Sequence, residues 1–142
     1  MADLRVFLDA NILFAAAYSP EGLSALLVEL GAAGRVTLLT SPLAIVEAKR
    51  NLEAKRPAAL PTLRGSLTAV RVVREPAPAD VGRLTPPELS SKDRPLLAAA
   101  VAVHATHFVT GDVADFGRWM DRRARLPLRV MTPRQFLTEV HP

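Results

Sequence analysis

No cysteine occurs among the 142 residues. That excludes disulfides, thiolate zinc sites and a cysteine nucleophile. Lysine is nearly absent as well: of 18 basic residues, only Lys49, Lys55 and Lys92 are lysines, and the rest are arginines. No long hydrophobic run is present; the longest strongly apolar stretch, LLAAAVAV at 96–103, is far too short to span a bilayer. The start, MADLRVFLDAN, lacks the basic segment and long apolar run of a signal peptide. There is no internal repeat. These absences lead us to expect a soluble, cytoplasmic protein with no membrane partner.

What is present is a globular composition, 49% hydrophobic and 23% charged, at a length that suits one domain over 1–142. The net charge is +4, with a pI near 10.3. Arginine suits phosphate because its planar fork bonds two oxygens at once. A genomic bias toward arginine explains the same numbers equally well, so charge alone is weak support for a nucleic-acid partner.

Strand-like and helix-like segments alternate. LRVFL at 4–8 ends at Asp9-Ala10-Asn11 as a buried parallel strand would. A helical stretch through Leu23, Leu26, Leu27 and Leu30 closes at Gly31 and Gly34. VTLLT at 36–40 is the second strand. Ser41-Pro42 then opens a helix that runs to about Arg56, with Ser41 as its cap and Pro42 at its first position. A short helix at 60–67 and a strand at 70–73 follow. Residues 75–90 carry four prolines and read as mostly loop. Asp93 leads an alanine-rich helix to Val103, with Pro95 tolerated in its first turn. HFVT at 107–110 and LRVM at 128–131 are the last strands, and Thr132-Pro133 starts a final helix. The alternation predicts an α/β fold with a mostly parallel sheet and right-handed crossovers.

Four carboxylates fall at one edge of such a sheet. Asp9 and Asp112 follow the first and fourth strands directly, on the rim where open parallel sheets bind ligands. Asp93 sits at a helix N-terminus that points back to the same rim. Glu47 lies about 40° around its helix from Leu43 and so borders the buried stripe. Packed carboxylates repel unless protonated or bridged by a cation, and Mg²⁺ or Mn²⁺ prefer such oxygen ligands. One or two such ions suit phosphodiester hydrolysis and require no histidine or serine nucleophile. Each acid also has a plainer reading: Asp9 and Asp112 as turn residues, Glu47 as an i+3 partner of Arg50, Asp93 as a helix cap.

LDANIL, Glu47 in the second helix, Asp93 ahead of the alanine-rich helix and VTGDVADFG together resemble the PIN-domain ribonucleases, the domain of the VapC toxins of bacterial toxin–antitoxin pairs. The resemblance spans residues 4 to 138. It implies a parallel-sheet α/β/α sandwich and Mg²⁺- or Mn²⁺-dependent endoribonuclease activity that leaves 5′-phosphate and 3′-hydroxyl ends. It also implies a small antitoxin partner and a homodimer. Asp9, Glu47, Asp93 and Asp112 are then the catalytic and metal-holding residues. Two departures stand out: Ala10 replaces the Ser or Thr often found between Asp and Asn, and Asp occupies both 112 and 115. Asp115 is therefore a further metal candidate, although Asp112 ends the strand directly. Asn11 either orients Asp9 or bonds locally in the turn.

Arg118, Trp119, Arg122 and Arg123 form a cluster that suits RNA phosphates and a stacked base, or else a solvated loop anchored by Trp119. His104 and His107 share the i, i+3 spacing of a metal pair, but the helix between them ends too early to align them. Two other functions compete. A phosphatase or receiver-like protein would use Asp9 as phosphate acceptor, but Asn11 stands where a second Asp is needed and lysines are few. A non-catalytic PIN-like module binding RNA or protein would not need the intact acidic set.

Overall fold

The structure, a computed structural model, describes residues 3–121 and 123–140. β1 (Arg5–Leu8) is the centre of the sheet. Val6, Phe7 and Leu8 are all fully buried, although successive side chains point to opposite faces, so layers cover both sides of the strand. β2 (Thr37–Thr40), β3 (Val70–Val72), β4 (His107–Val109) and β5 (Arg129–Met131) complete one five-stranded sheet in the order β3-β2-β1-β4-β5. Every neighbouring pair is parallel. Phe7 is in register with Leu39 on one side and Phe108 on the other, and the Phe7 and Phe108 rings stack at 5.7 Å.

The strand order decides where a ligand can sit. The chain lays β2 and β3 to one side of β1, then returns to place β4 and β5 on the other. The order reverses between β1 and β4, and crevices open beyond the carboxyl ends of strands at such a reversal. Asp9 and Asp112 follow those two strands.

One helix in this part of the chain departs from the sequence expectation. α1 (Ala10–Tyr18) fills a stretch where no separate helix is anticipated. ANILFAAAY is apolar almost throughout, and Ile12, Leu13, Ala16 and Ala17 are all buried. No polar stripe marks its period. α2 (Leu23–Ala32) follows at a 98° bend. Its expected closing glycines differ in role. Gly31 lies within the helix, where a Cβ would collide with the Leu38 side chain, and Gly34 makes the turn at φ +74.

α3 (Pro42–Lys55) ends before Pro57, as its sequence predicts. Its buried line is Ala44, Ala48 and Leu52, whose alanines let it lie close against α1. Leu43 is one position off that line, about 100° around the axis, and is 44% exposed. The expectation that Leu43 marks the buried stripe is thus corrected, and Glu47 borders the stripe through Ala44 and Ala48 instead. Ser41 takes the cap position, yet its buried hydroxyl makes no capping bond.

α4 (Leu60–Leu67) precedes β3. α5 (Pro78–Leu84) lies inside the proline-rich stretch read as loop: Pro78 is in its first turn, where proline costs no hydrogen bond. It packs on α6 (Arg94–Ala102), whose Leu96 to Ala100 are buried. α7 (Val113–Phe116) and α8 (Pro133–Glu139) finish the chain, the latter with a Thr132/Gln135 capping box. No single helix among the described residues is long and apolar enough to cross a membrane.

Candidate metal centre

Asp9 is held from three directions. Its Oδ1 accepts from its neighbour's amide, Ala10 N, at 2.7 Å. Its Oδ2 accepts from the Thr110 hydroxyl at 2.7 Å and from Asn11 Nδ2 at 3.1 Å. Thr110 is fully buried at the end of β4 and also accepts from the Asp112 amide at 3.0 Å. Asn11 Oδ1 accepts from Gly111 N at 2.7 Å. Asn11 therefore orients Asp9 and also ties the β1 end to the turn after β4. Two distant segments are locked together around one carboxylate.

The remaining acids meet on that edge. Asp93, Asp112 and Asp115 each offer a carboxylate oxygen, and the three lie within 4.8 Å of one another. Asp93 leads α6 without capping it by its side chain; its Oδ2 accepts instead from Ser90 Oγ at 2.7 Å. Asp112 caps α7, accepting from Asp115 N at 3.0 Å. The choice between positions 112 and 115 is not forced, since both carboxylates stand beside Asp93. Glu47 reaches the same region across α3, close enough for its charge to act on Asp9 and on Lys92. Among the described residues it forms no ion pair with Arg50.

Crowding shows in the protonation behaviour. Burial pushes the Asp9 carboxyl up to about 6, hydrogen bonds from Thr110 and Ala10 hold it down, and the charges of Asp93 and Glu47 raise it further. The Asp115 carboxyl is pushed up by hydrogen-bonding contact with Asp93 and then by the Asp93 charge. Lys92 partly offsets the cluster: its ammonium is 3.9 Å from Asp93 Oδ1 and 3.8 Å from Asp115 Oδ2, and these charges, Asp93 first, raise its pKa. A set of hard oxygens with an exposed ammonium beside it is suited to a hard metal cation and offers soft metals nothing.

Thr110 and Lys92 are the residues that reading the sequence misses. Thr110 is visible only as the last residue of a strand, 101 positions from its partner. Lys92 adjoins Asp93, and that adjacency is the one available hint.

The arginine cluster lies elsewhere. Trp119 is half-buried against the core and lines a cleft with Thr106 and Arg129, at the amino ends of β4 and β5. The acids occupy the carboxyl ends. The Arg118 guanidinium lies over the indole at 4.8 Å, covering a face that a base would need, and Arg123 is paired with Asp121. Arg122 lies outside the described residues. His104 is exposed at φ 58, while His107 is buried with its ring against Phe136, so the two do not form a metal pair.

A family model described as PIN domain matches residues 5–114. No curated protein matches the chain. Among solved structures, Rickettsia felis VapBC2 bound to a promoter DNA fragment aligns with TM-score 0.68 and 18% identity, over 91% of this chain and 98% of that one. DNA-bound VapBC from Salmonella typhimurium gives 0.66 and 15%, covering 92% and 98%. VapBC-1 from nontypeable Haemophilus influenzae gives 0.60 and 14%, covering 92% and 99%. At these identities the likeness is one of fold.

Proposed function

The chain belongs to the PIN-domain family, and on that premise we propose that it is a Mg²⁺- or Mn²⁺-dependent endoribonuclease of the VapC kind. The observation that carries this reading is the convergence of Asp93, Asp112 and Asp115 within 4.8 Å at the β1/β4 reversal, beside the buried Asp9. Asp9, Glu47, Asp93 and Asp112 would hold one or two ions, with Asp115 able to share in the set. The bound ion supplies charge neutralisation and Lewis acidity toward a phosphoryl oxygen.

The protein's own groups do the rest. Thr110, Asn11 and the Ala10 amide fix Asp9 in one orientation, so no side-chain reorganisation is needed when a substrate arrives. The acids, only partly offset by Lys92, repel a phosphate, which makes substrate binding at this edge depend on the cation. Lys92 is a flexible cation at the same rim, placed to follow a phosphate as charges rearrange.

The partner reading has support of its own. Leu43 and Val46 are 44% and 49% exposed, and with Pro42, Pro76, Val81 and Pro95 they line an apolar cleft of about 570 Å³ adjoining Glu47 and Asp93. Such a surface suits a small antitoxin with apolar anchors, the partnership for which the VapBC likeness argues. A homodimer belongs to the same proposal.

Cleavage of single-stranded RNA should appear with Mg²⁺ or Mn²⁺, disappear in EDTA and be poorly supported by Ca²⁺, whose looser coordination suits in-line transfer badly. Asp93→Asn should abolish it. Undiminished cleavage in excess EDTA, or full activity of Asp93→Asn, overturns the proposal.

A further inference from the structure

Beside the acidic rim lies a second cleft, of about 460 Å³, lined by Ser19, Gly22, Ser24, Gly111, Thr132 and Arg134 among others. Gly111 and Thr132 follow β4 and β5, so the cleft opens on the same sheet edge as the acids. Gly111 is bonded to Asn11 and is the residue before Asp112. The N-terminus of α2 faces this space. Gly22 occupies its cap position, and no side chain caps the helix. The N–H groups of Leu23, Ser24 and Ala25 precede the first intrahelical bond, which Leu26 makes to Gly22.

Ser24 gives the independent indication. It is only 8% exposed and lines the cleft, and its hydroxyl has no hydrogen-bond partner among the described residues. That oxygen is open to the cleft, not sealed in the core as the Ser41 oxygen is. Across the cleft stands Arg134, an exposed guanidinium with no ion-pair partner among the described residues. Amide donors at a positive helix end, one unpaired hydroxyl and one arginine make a donor set with no carboxylate in it. That set matches a phosphate group.

We infer that this cleft is a phosphate subsite that holds the backbone of a single-stranded nucleic acid next to the acidic rim. The inference rests on the nuclease reading for its ligand. It assigns positioning, not chemistry, to the α2 N-terminus, Ser24 and Arg134: a phosphate seated there fixes the strand's path across Asp112 and Asp9.

The test follows the backbone amides of the whole chain by NMR in EDTA, where no metal-dependent cleavage runs. Inorganic phosphate and a short single-stranded oligonucleotide are titrated separately. Both should shift Leu23, Ser24 and Ala25. Gly22→Asp places a carboxylate where the anion would sit and caps α2 itself. Its backbone, at φ −87 and ψ 178, suits such a cap. That variant should abolish the shifts with an unchanged or higher thermal midpoint. Arg134→Gln should weaken oligonucleotide binding about tenfold, alike for all sequences, and reduce the slope of log K against log salt by about 0.7. With metal present it should raise KM and leave kcat unchanged, and Arg134→Lys should recover part of the loss. Unmoved α2 amides with both probes overturn the subsite even if the protein cleaves RNA. Shifts with phosphate but not with the oligonucleotide overturn the strand assignment in favour of a free-phosphate site. Shifts with both, in a protein that shows no metal-dependent cleavage, leave the subsite standing and remove the nuclease reading.

Discussion

The Thr110 hydroxyl does three things with one oxygen. It donates to Asp9 Oδ2 at 2.7 Å and accepts from Asn11 Nδ2 at 3.2 Å and from Asp112 N at 3.0 Å. With Asn11, it ties together the two acid-bearing strand ends. Thr110→Val keeps the shape and removes the hydroxyl. The change should cost about 1–3 kcal/mol of stability, since it leaves a buried carboxylate oxygen short of a donor. Activity should fall further than that loss of folded protein explains, because Asp9 is no longer fixed. Denaturant unfolding measured beside kcat checks both parts; full kcat in a destabilised protein would restrict Thr110 to a structural role. Asp9, Asp93 and Asp112 were legible because each falls where a strand ends or a helix begins, and Glu47 because it lies beside the buried stripe of its helix. Thr110 was not: its partner is 101 residues away, and no local pattern marks a hydroxyl that works across a sheet.

At the scale of elements, legibility followed periodicity. All five strands were visible as short apolar runs, and α3 was readable at both ends from Ser41-Pro42 and Pro57. α1 was not, because a helix buried on nearly all sides carries no alternation. α5 was hidden by the prolines of its stretch; the one inside the helix, Pro78, sits where a first turn tolerates it. The segment around Trp119 is the clearest case of a pattern with two readings. Arginines around a tryptophan suit RNA, yet here Arg118 covers the indole and Trp119 packs against the core at the sheet edge opposite the acids. Trp119→Ala should therefore cost about 2 kcal/mol of stability, below the ~3–5 kcal/mol of a fully buried tryptophan. RNA affinity of the folded protein should not change. A loss of affinity with unaltered unfolding would return this segment to the RNA path.

For the molecule as a whole, two buried titratable groups pull stability in opposite directions with pH. Asp9 has a raised pKa, about 6 against an ordinary 3.8, so the folded state binds its proton more tightly than the unfolded chain does. Its contribution is fully present below pH ~3.8 and is lost as pH rises through ~6, an amount of about 3 kcal/mol at most. His107 is the reverse case. Burial first and the Arg129 charge second lower its pKa below the usual 6.5. Its neutral form is favoured in the fold, so its contribution is present above pH ~6.5 and is lost as pH falls through the depressed value. The two effects overlap between about pH 4 and 6.5 and mask each other in the parent protein. Single variants should separate them. In EDTA, Asp9→Asn removes the stabilisation at low pH, so its thermal midpoint should fall more steeply on acidification than that of the parent. His107→Asn keeps a polar group beside Thr106 and should show the opposite, a midpoint that rises as pH drops toward 5. Mn²⁺ should flatten the Asp9 component alone, because a bound cation keeps that carboxylate ionised in the folded state. Parallel midpoint-against-pH curves for the parent and Asp9→Asn, with and without Mn²⁺, would mean that Asp9 neither carries the raised pKa nor meets the metal.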